Sequence, residues 1–143
     1  MRTLLMVLAT LALATPASAD AVNLSELAGN WVFETAPHQA TGCVIRGEVT
    51  ATRNGNALTM QMNAHETCPD DRVINAVEHC RAALERTSLV VRCVLVSADT
   101  DTYLPDQFVL GALSAAEMSG RLWDEGIWNT PVTWRRPSSP LVS

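Results

Sequence analysis

The sequence predicts an all-β protein, an eight-stranded antiparallel up-and-down β-barrel stapled by disulfide bonds. Apolar and polar residues alternate along several segments of the 143-residue chain, as they do in strands with one buried face. These segments are short and are separated by turn residues, which favours antiparallel neighbours. The four cysteines fall opposite one another when the two clearest hairpins are drawn. Closing such strands into a barrel removes the exposed sheet edges.

The N-terminus has the pattern of a secretory signal peptide. Arg2 precedes an apolar run from Leu4 to Ala14, and Ala17-Ser18-Ala19 is a small-residue cleavage pattern. This run is too short to span a bilayer stably. We therefore expect residues 1–19 to be a signal peptide, residues 20–136 to form a single barrel domain and residues 137–143 to be a flexible tail. The mature chain is expected to be periplasmic or secreted, without membrane insertion.

The first predicted hairpin runs from Gly42 to Arg53 and from Ala57 to Cys68, around the turn Asn54-Gly55-Asn56. If Asn54 faces Ala57, then Cys43 faces Cys68. One face of the hairpin is then apolar and carries Cys43, Ile45, Gly47, Val49, Ala51, Leu58, Met60, Met62 and Ala64. A slip of one residue would bury the polar face instead, so the register is well specified.

The second predicted hairpin turns at Arg86-Thr87 and places Cys80 opposite Cys93. The alternative is a helix from Pro69 to Arg86, because apolar residues in that segment also recur at helical spacing. The cysteine register favours the strand. We therefore predict the disulfides Cys43–Cys68 and Cys80–Cys93. A metal site is the alternative use of these cysteines, but the chain has no Cys-x-x-Cys pair.

Four further strands complete the barrel, and they are predicted at Leu27 to Glu34, Gln107 to Leu113, Glu117 to Trp123 and Pro131 to Arg136. The segment Leu24 to Phe33 resembles the Gly-x-Trp opening of lipocalins and other calycins. In that superfamily a short helical turn leads into the first strand, and the tryptophan closes one barrel end. The resemblance implies that Trp31 is this tryptophan and that Arg135 or Arg136 packs over it from the last strand.

The same opening, followed by Cys43, also resembles the bacterial periplasmic inhibitors of serralysin-type metalloproteases. Those proteins are small calycin barrels whose N-terminal segment reaches into the protease cleft. This chain differs from them in having four cysteines rather than two, and its expected mature N-terminus, Asp20-Ala21-Val22-Asn23, is not a serine-rich arm. The resemblance implies a protease as one kind of partner.

The chain carries none of the motifs for nucleophilic hydrolysis, phosphate binding or dinucleotide binding. We therefore expect a protein that is not an enzyme and has no cofactor. The remaining candidates for chemistry are His38, His65 and His79, with Glu66 and Glu78. His65 and His79 point outward and are not opposite each other, so we predict no metal site. The mature chain has nine basic and fifteen acidic residues, which disfavours nucleic acid as a partner.

We expect a monomeric carrier of a small apolar molecule, with a protease inhibitor or a structural envelope protein as the alternatives. Small residues and methionines on the inward face would leave adaptable space in the barrel. The alternation of side chains along the strands also places Glu66 and Glu78 on the inward face. A buried carboxylate is costly, so we expect each of them at an open mouth of the barrel or against an inward arginine. The predicted ligand-binding residues are Trp31, Phe33, Ile45, Met60, Met62, Glu66, Glu78 and Phe108. Trp123 and Trp128 flank a loop, and together with Tyr103, Leu104 and Pro105 in another loop they are expected to cover a barrel end or to contact a partner.

Overall fold

The computed structural model describes residues 21–124 and 128–138, which form a closed antiparallel barrel of eight strands after a short 3-10 helix. Each strand pairs with the next, and the last pairs with the first. The predicted fold class is confirmed. The helix spans Leu24–Leu27, and the strands are β1 (Gly29–Thr35), β2 (Val44–Asn54), β3 (Ala57–Thr67), β4 (Val73–Glu85), β5 (Ser88–Ala98), β6 (Gln107–Leu113), β7 (Glu117–Trp123) and β8 (Asn129–Arg135). The predicted signal peptide, 1–19, and most of the predicted tail, 137–143, lie outside the described residues.

Both hairpins have the predicted registers. Asn54 pairs with Ala57 at the end of β2 and β3, and Cys80 pairs with Cys93 between β4 and β5. Both predicted disulfides are present, with Cα–Cα distances of 4.1 Å for Cys43–Cys68 and 4.0 Å for Cys80–Cys93. The helix alternative for residues 69–86 is wrong, since β4 is a strand. Within the described residues, no helix is long and apolar enough to cross a membrane.

The barrel centre is filled by aromatic rings and methionines. Phe33, Phe108 and Trp134 form a cluster with centroid distances of 5.1 to 5.5 Å. Gly47 lies beneath the Phe33 ring, where a Cβ atom would come within 2.6 Å of the ring Cζ. A small inward residue therefore makes room for a neighbouring ring. The side chains of Met60, Met62 and Met118 are at most 1% exposed.

One end of the barrel is closed by Trp31 and Arg136. The Trp31 indole N–H donates to the Leu27 carbonyl at 2.9 Å, and the Arg136 guanidinium lies 3.8 Å from the centre of the indole ring. The guanidinium also donates to the backbone carbonyls of Glu26, Ala28, Asn30 and Ala115. Of the candidate arginines, Arg136 is the one over Trp31. Arg135 points outward and pairs with Glu117 at 2.9 Å.

Candidate functional site at the open end of the barrel

The opposite end of the barrel has a cleft of about 330 Å³, called here the mouth cleft. It lies among the loop before β2, the start of β4, the segment before β6 and the segment before β8. Its apolar walls are Ile45, Ile74, Tyr103, Leu104 and Trp128, and its polar groups include Thr41, Glu66, Arg72, Thr102, Asp106 and Asp124. The cleft therefore combines a concave apolar wall with several titratable groups, as small-molecule sites do.

Trp128 forms one wall of the mouth cleft and is held in place by its neighbours. Its ring lies 4.8 Å from the ring of His38, and its backbone N–H donates to the Asp124 carboxylate at 3.1 Å. His38 is itself fixed within the loop before β2, where its Nδ1 is 3.1 Å from the Thr41 hydroxyl. Trp123 differs from Trp128, because it lies on the outer face and is 41% exposed. The loop between them includes residues 125–127, which lie outside the described residues.

Two buried carboxyl groups lie at the cleft, Asp106 in its lining and Glu78 beside Asp106. Glu78 on β4 is fully buried, and its Oε1 accepts a hydrogen bond from the Asp106 backbone N–H at 2.9 Å. Asp106 is 2% exposed, and its Oδ2 accepts a hydrogen bond from the Tyr103 hydroxyl at 2.9 Å. The three side chains form one hydrogen-bonded group. It links the wall of the barrel to the segment that crosses the mouth.

Burial and mutual repulsion make this pair retain protons that exposed carboxyl groups would lose. Burial, followed by the negative charge of Asp106, raises the pKa of Glu78 to about 9. Burial also raises the pKa of Asp106 to about 7, while the hydrogen bonds from Tyr103 and Glu78 lower it. Among the described residues Glu78 Oε2 has no hydrogen-bond partner when it is counted as an acceptor. A proton on Glu78 would resolve this, because the carboxyl O–H is a donor and the neighbouring Asp106 carboxylate is an acceptor.

The structure differs from the expectation for Glu78. We expected it at an open mouth or against an inward arginine, and it lies instead against a second carboxyl group. Glu66 does lie at the cleft, half-buried, with its Oε1 3.4 Å from the Cys68 sulfur. Burial raises the pKa of Glu66, and the nearby Arg72 opposes that shift. Glu66 is therefore the acidic group that meets solvent, and Glu78 is the one that does not.

The other predicted ligand-binding residues divide between the cleft and the core. Ile45 lines the cleft together with Glu66. The remaining apolar ones pack in the barrel centre with at most 3% exposure, and they are Trp31, Phe33, Met60, Met62 and Phe108. Sequence reasoning expected Tyr103 to cover a barrel end or to contact a partner and did not count it as a ligand-binding residue, and it missed Asp106. Asp106 could have been found from the alternation of side chains along a strand. Asp106 lies two residues before Phe108, which faces inward, so Asp106 is expected to face inward as well.

Each disulfide has a carboxylate beside it, Glu66 next to Cys43–Cys68 and Glu78 next to Cys80–Cys93. The sulfur atoms are bonded to each other, so they do not offer the thiolates that bind metal ions. The exposed histidines do not converge either. His65 Nδ1 is 2.6 Å from the Asn75 side chain, and His79 faces Gln61 on the neighbouring strand.

A larger depression of about 680 Å³ lies on the outer surface of β1, β2 and β8. Many of its side chains are charged and face solvent, and Glu34 and Arg46 pair with each other across it at 2.6 Å. Glu34 and Arg46 already satisfy each other there and leave less charge for a ligand to bind. The mouth cleft is the stronger candidate because its aromatic walls, Tyr103 and Trp128, and its Asp106 carboxyl group are buried.

Comparison of the chain with protein-family models, with curated proteins and with solved structures finds no match in any of the three. The closed antiparallel barrel is consistent with a lipocalin-like fold. A fold of this kind serves many functions, so the function has to be argued from the site.

Proposed function

We propose that this protein is a non-enzymatic binding protein that takes a small, largely apolar molecule at the mouth cleft. The observation that carries this proposal is the contrast between the two parts of the barrel. The centre is filled by packed rings, whereas the mouth has a concave space of about 330 Å³ with aromatic walls. That volume lies at the small end of the range for ligand sites.

The charges around the cleft favour a neutral or basic ligand over an acidic one. Glu66, Asp106 and Asp124 line it together with Arg72. A ligand carboxylate would lie close to these acidic groups at low dielectric, where like charges repel strongly. The apolar part of the ligand would pack on Tyr103 and Trp128, and its head group would face Glu66. We therefore expect amines or alcohols to bind better than fatty acids.

This proposal can be tested with a set of ligands that share one alkyl chain and differ in the head group. We would measure the binding of the amine, the alcohol and the carboxylate by calorimetry. Thr102→Trp fills the cleft from an exposed position and is expected to weaken binding at least tenfold. Thr87→Trp, at the turn between β4 and β5, is the matched control. Absence of binding for all three ligands, or equal binding by the Thr102→Trp variant, would contradict the proposal.

Protease inhibition is a second candidate, and the start of the chain favours it. Asn23 and Glu26 cap the 3-10 helix reciprocally, with an Asn23 N–H to Glu26 distance of 2.8 Å. The cap fixes the start of the helix against the barrel, Val22 before it packs against the core, and Ala21 is exposed. A serralysin-type protease assay would compare the mature chain with one that begins at Asn23. Loss of inhibition in the shorter chain would support this function, and no inhibition by either chain would exclude it.

A further inference from the structure

Residues 99–106, called here the strap, cross the mouth between β5 and β6. In the described part of the chain β6 pairs with β5 from Leu89 to Arg92, so the rest of β5 extends beyond β6 and the strap returns over the barrel end. Its base is attached to β4, because the Asp99 carboxylate accepts from the Asn75 backbone and side chain at 2.9 and 2.7 Å. The tip, around Asp101, is exposed.

The far half of the strap is held by Tyr103 and Asp106, its two buried side chains in a segment that the structure describes in full. Tyr103 donates to Asp106, and the Asp106 backbone N–H donates to Glu78 on the barrel wall. Tyr103, Leu104 and Asp106 also line the mouth cleft. The position of the strap therefore sets the shape of the cleft.

The charged groups around Glu78 and Asp106 do not allow both carboxyl groups to be ionised in the closed structure without cost. Glu66 on β3 and Asp124 after β7 add negative charge, whereas Arg72 before β4 and His38 before β2 lie at the mouth and act on Glu66. The disulfide Cys80–Cys93 is also close to Glu78 and carries no charge. Two ionised carboxylates buried side by side would repel each other and lose hydration, and nothing in this set neutralises both.

We propose that the strap is a proton-controlled lid: it stays over the mouth while the Glu78–Asp106 pair holds at least one proton, and it lifts when the pair loses its last proton. The first ionisation leaves the strap closed, because the Asp106 carboxylate still accepts hydrogen bonds from Tyr103 and from protonated Glu78. The second ionisation removes the donor on Glu78 and places two like charges together. The lid does not depend on the cleft binding a ligand.

Tyr103 is the one tyrosine in the sequence, so it reports on the strap without interference. A protein grown with ¹³C-labelled tyrosine gives a single set of ring signals. We would follow their exposure to a soluble paramagnetic agent from neutral pH to beyond the pKa of Glu78. The expected result is a change from a protected to an exposed ring with a midpoint near pH 9. A ring that stays protected throughout would overturn the proposal.

Glu78→Gln separates the lid from other alkaline effects. The glutamine amide still donates to Asp106 and cannot ionise, so the ring is expected to stay protected at the highest pH. If Glu78→Gln does not fold, Asp106→Asn replaces it. This variant also prevents two ionised carboxylates from lying side by side, so the Tyr103 ring is again expected to stay protected. Glu48→Gln, at an exposed position on β2 away from the mouth, is the matched control and is expected to keep the transition. Exposure of Tyr103 at the same pH in Glu78→Gln would refute the lid, and so would loss of the tryptophan core signals together with the tyrosine change in the wild type.

Discussion

Arg136 combines several interactions in one side chain at the closed end of the barrel. Its guanidinium stacks on Trp31 and donates to four backbone carbonyls from the helix, β1 and the turn before β7. Those carbonyls belong to segments far apart in the chain. A residue at the end of the last strand therefore ties the first segment to the rest of the barrel.

Replacing Arg136 should destabilise the protein more than replacing its neighbour. Arg136→Ala is expected to lower the free energy of unfolding by about 2 to 3 kcal/mol, because charged hydrogen bonds and a cation-π contact are lost. Arg135→Ala is the control, since its ion pair with Glu117 is exposed and worth about 0 to 1 kcal/mol. Urea unfolding followed by tryptophan fluorescence measures both. Equal losses would show that Arg136 has no special role.

Position 47 needs a glycine because the Phe33 ring occupies the space of a Cβ atom there, and not because of its backbone conformation. A Cβ atom there would collide with the Phe33 ring and lie 2.8 Å from the Asn63 carbonyl oxygen. Gly47→Ala is therefore expected to destabilise the protein by about 1 to 3 kcal/mol through overpacking. Gly111→Ala is the matched control, because its added Cβ would meet only the Ser88 hydroxyl, at 3.8 Å. Equal stability of the two variants in urea would contradict this account.

At the scale of elements, the hairpins were predictable because two independent signals agreed. Cys80 and Cys93 fix one register, and the alternation of apolar residues along both arms fixes the same one. The same logic placed Cys43 opposite Cys68. The path of the strap was not predictable, because its Asp and Pro residues indicate a turn or loop without fixing where the segment runs. Phe33 over Gly47 was not predictable either, since parity shows which side chains face inward and not which of them fills a given space.

The two disulfides close hairpins of different lengths, and their removal should differ accordingly. The bonded residues are 25 apart for Cys43–Cys68 and 13 apart for Cys80–Cys93. Loop-closure entropy assigns about 3 kcal/mol to each, with slightly more for the longer loop. Paired cysteine-to-alanine variants and thermal unfolding measure this. A much larger loss for the Cys80–Cys93 pair would mean that this bond also supports the buried Glu78 beside it.

At the scale of the whole molecule, the barrel has two unlike ends around one packed centre. The end with Trp31 is sealed by a cation whose hydrogen bonds are all to neutral carbonyls. The mouth is sealed by carboxyl groups whose charge depends on pH. Aromatic rings fill the centre of the barrel, so the space at the mouth does not continue to the sealed end. Changes of protonation should therefore affect the mouth while the sealed end stays unchanged.

The global stability of the protein should fall as the pH rises from about 4.5 to about 9. Glu78 has an ordinary pKa of 4.5 when unfolded and a raised pKa in the folded barrel, so the folded state holds a proton that the unfolded state has lost across this window. The stabilising effect of this proton is complete below the unfolded pKa and is lost as pH rises toward the folded one. Asp106 acts in the same direction up to its own pKa near 7.

Urea unfolding at several pH values tests this directly. Glu78→Gln should flatten the pH dependence, because its amide needs no proton to remain neutral in the buried site. Glu48→Gln, an exposed position on β2, is the matched control and should keep the wild-type slope. If the wild-type protein became more stable between neutral pH and the pKa of Glu78, the folded state could not be holding the extra proton. The buried carboxyl pair would then have to be ionised, and its burial beside Tyr103 would need a cation to balance it.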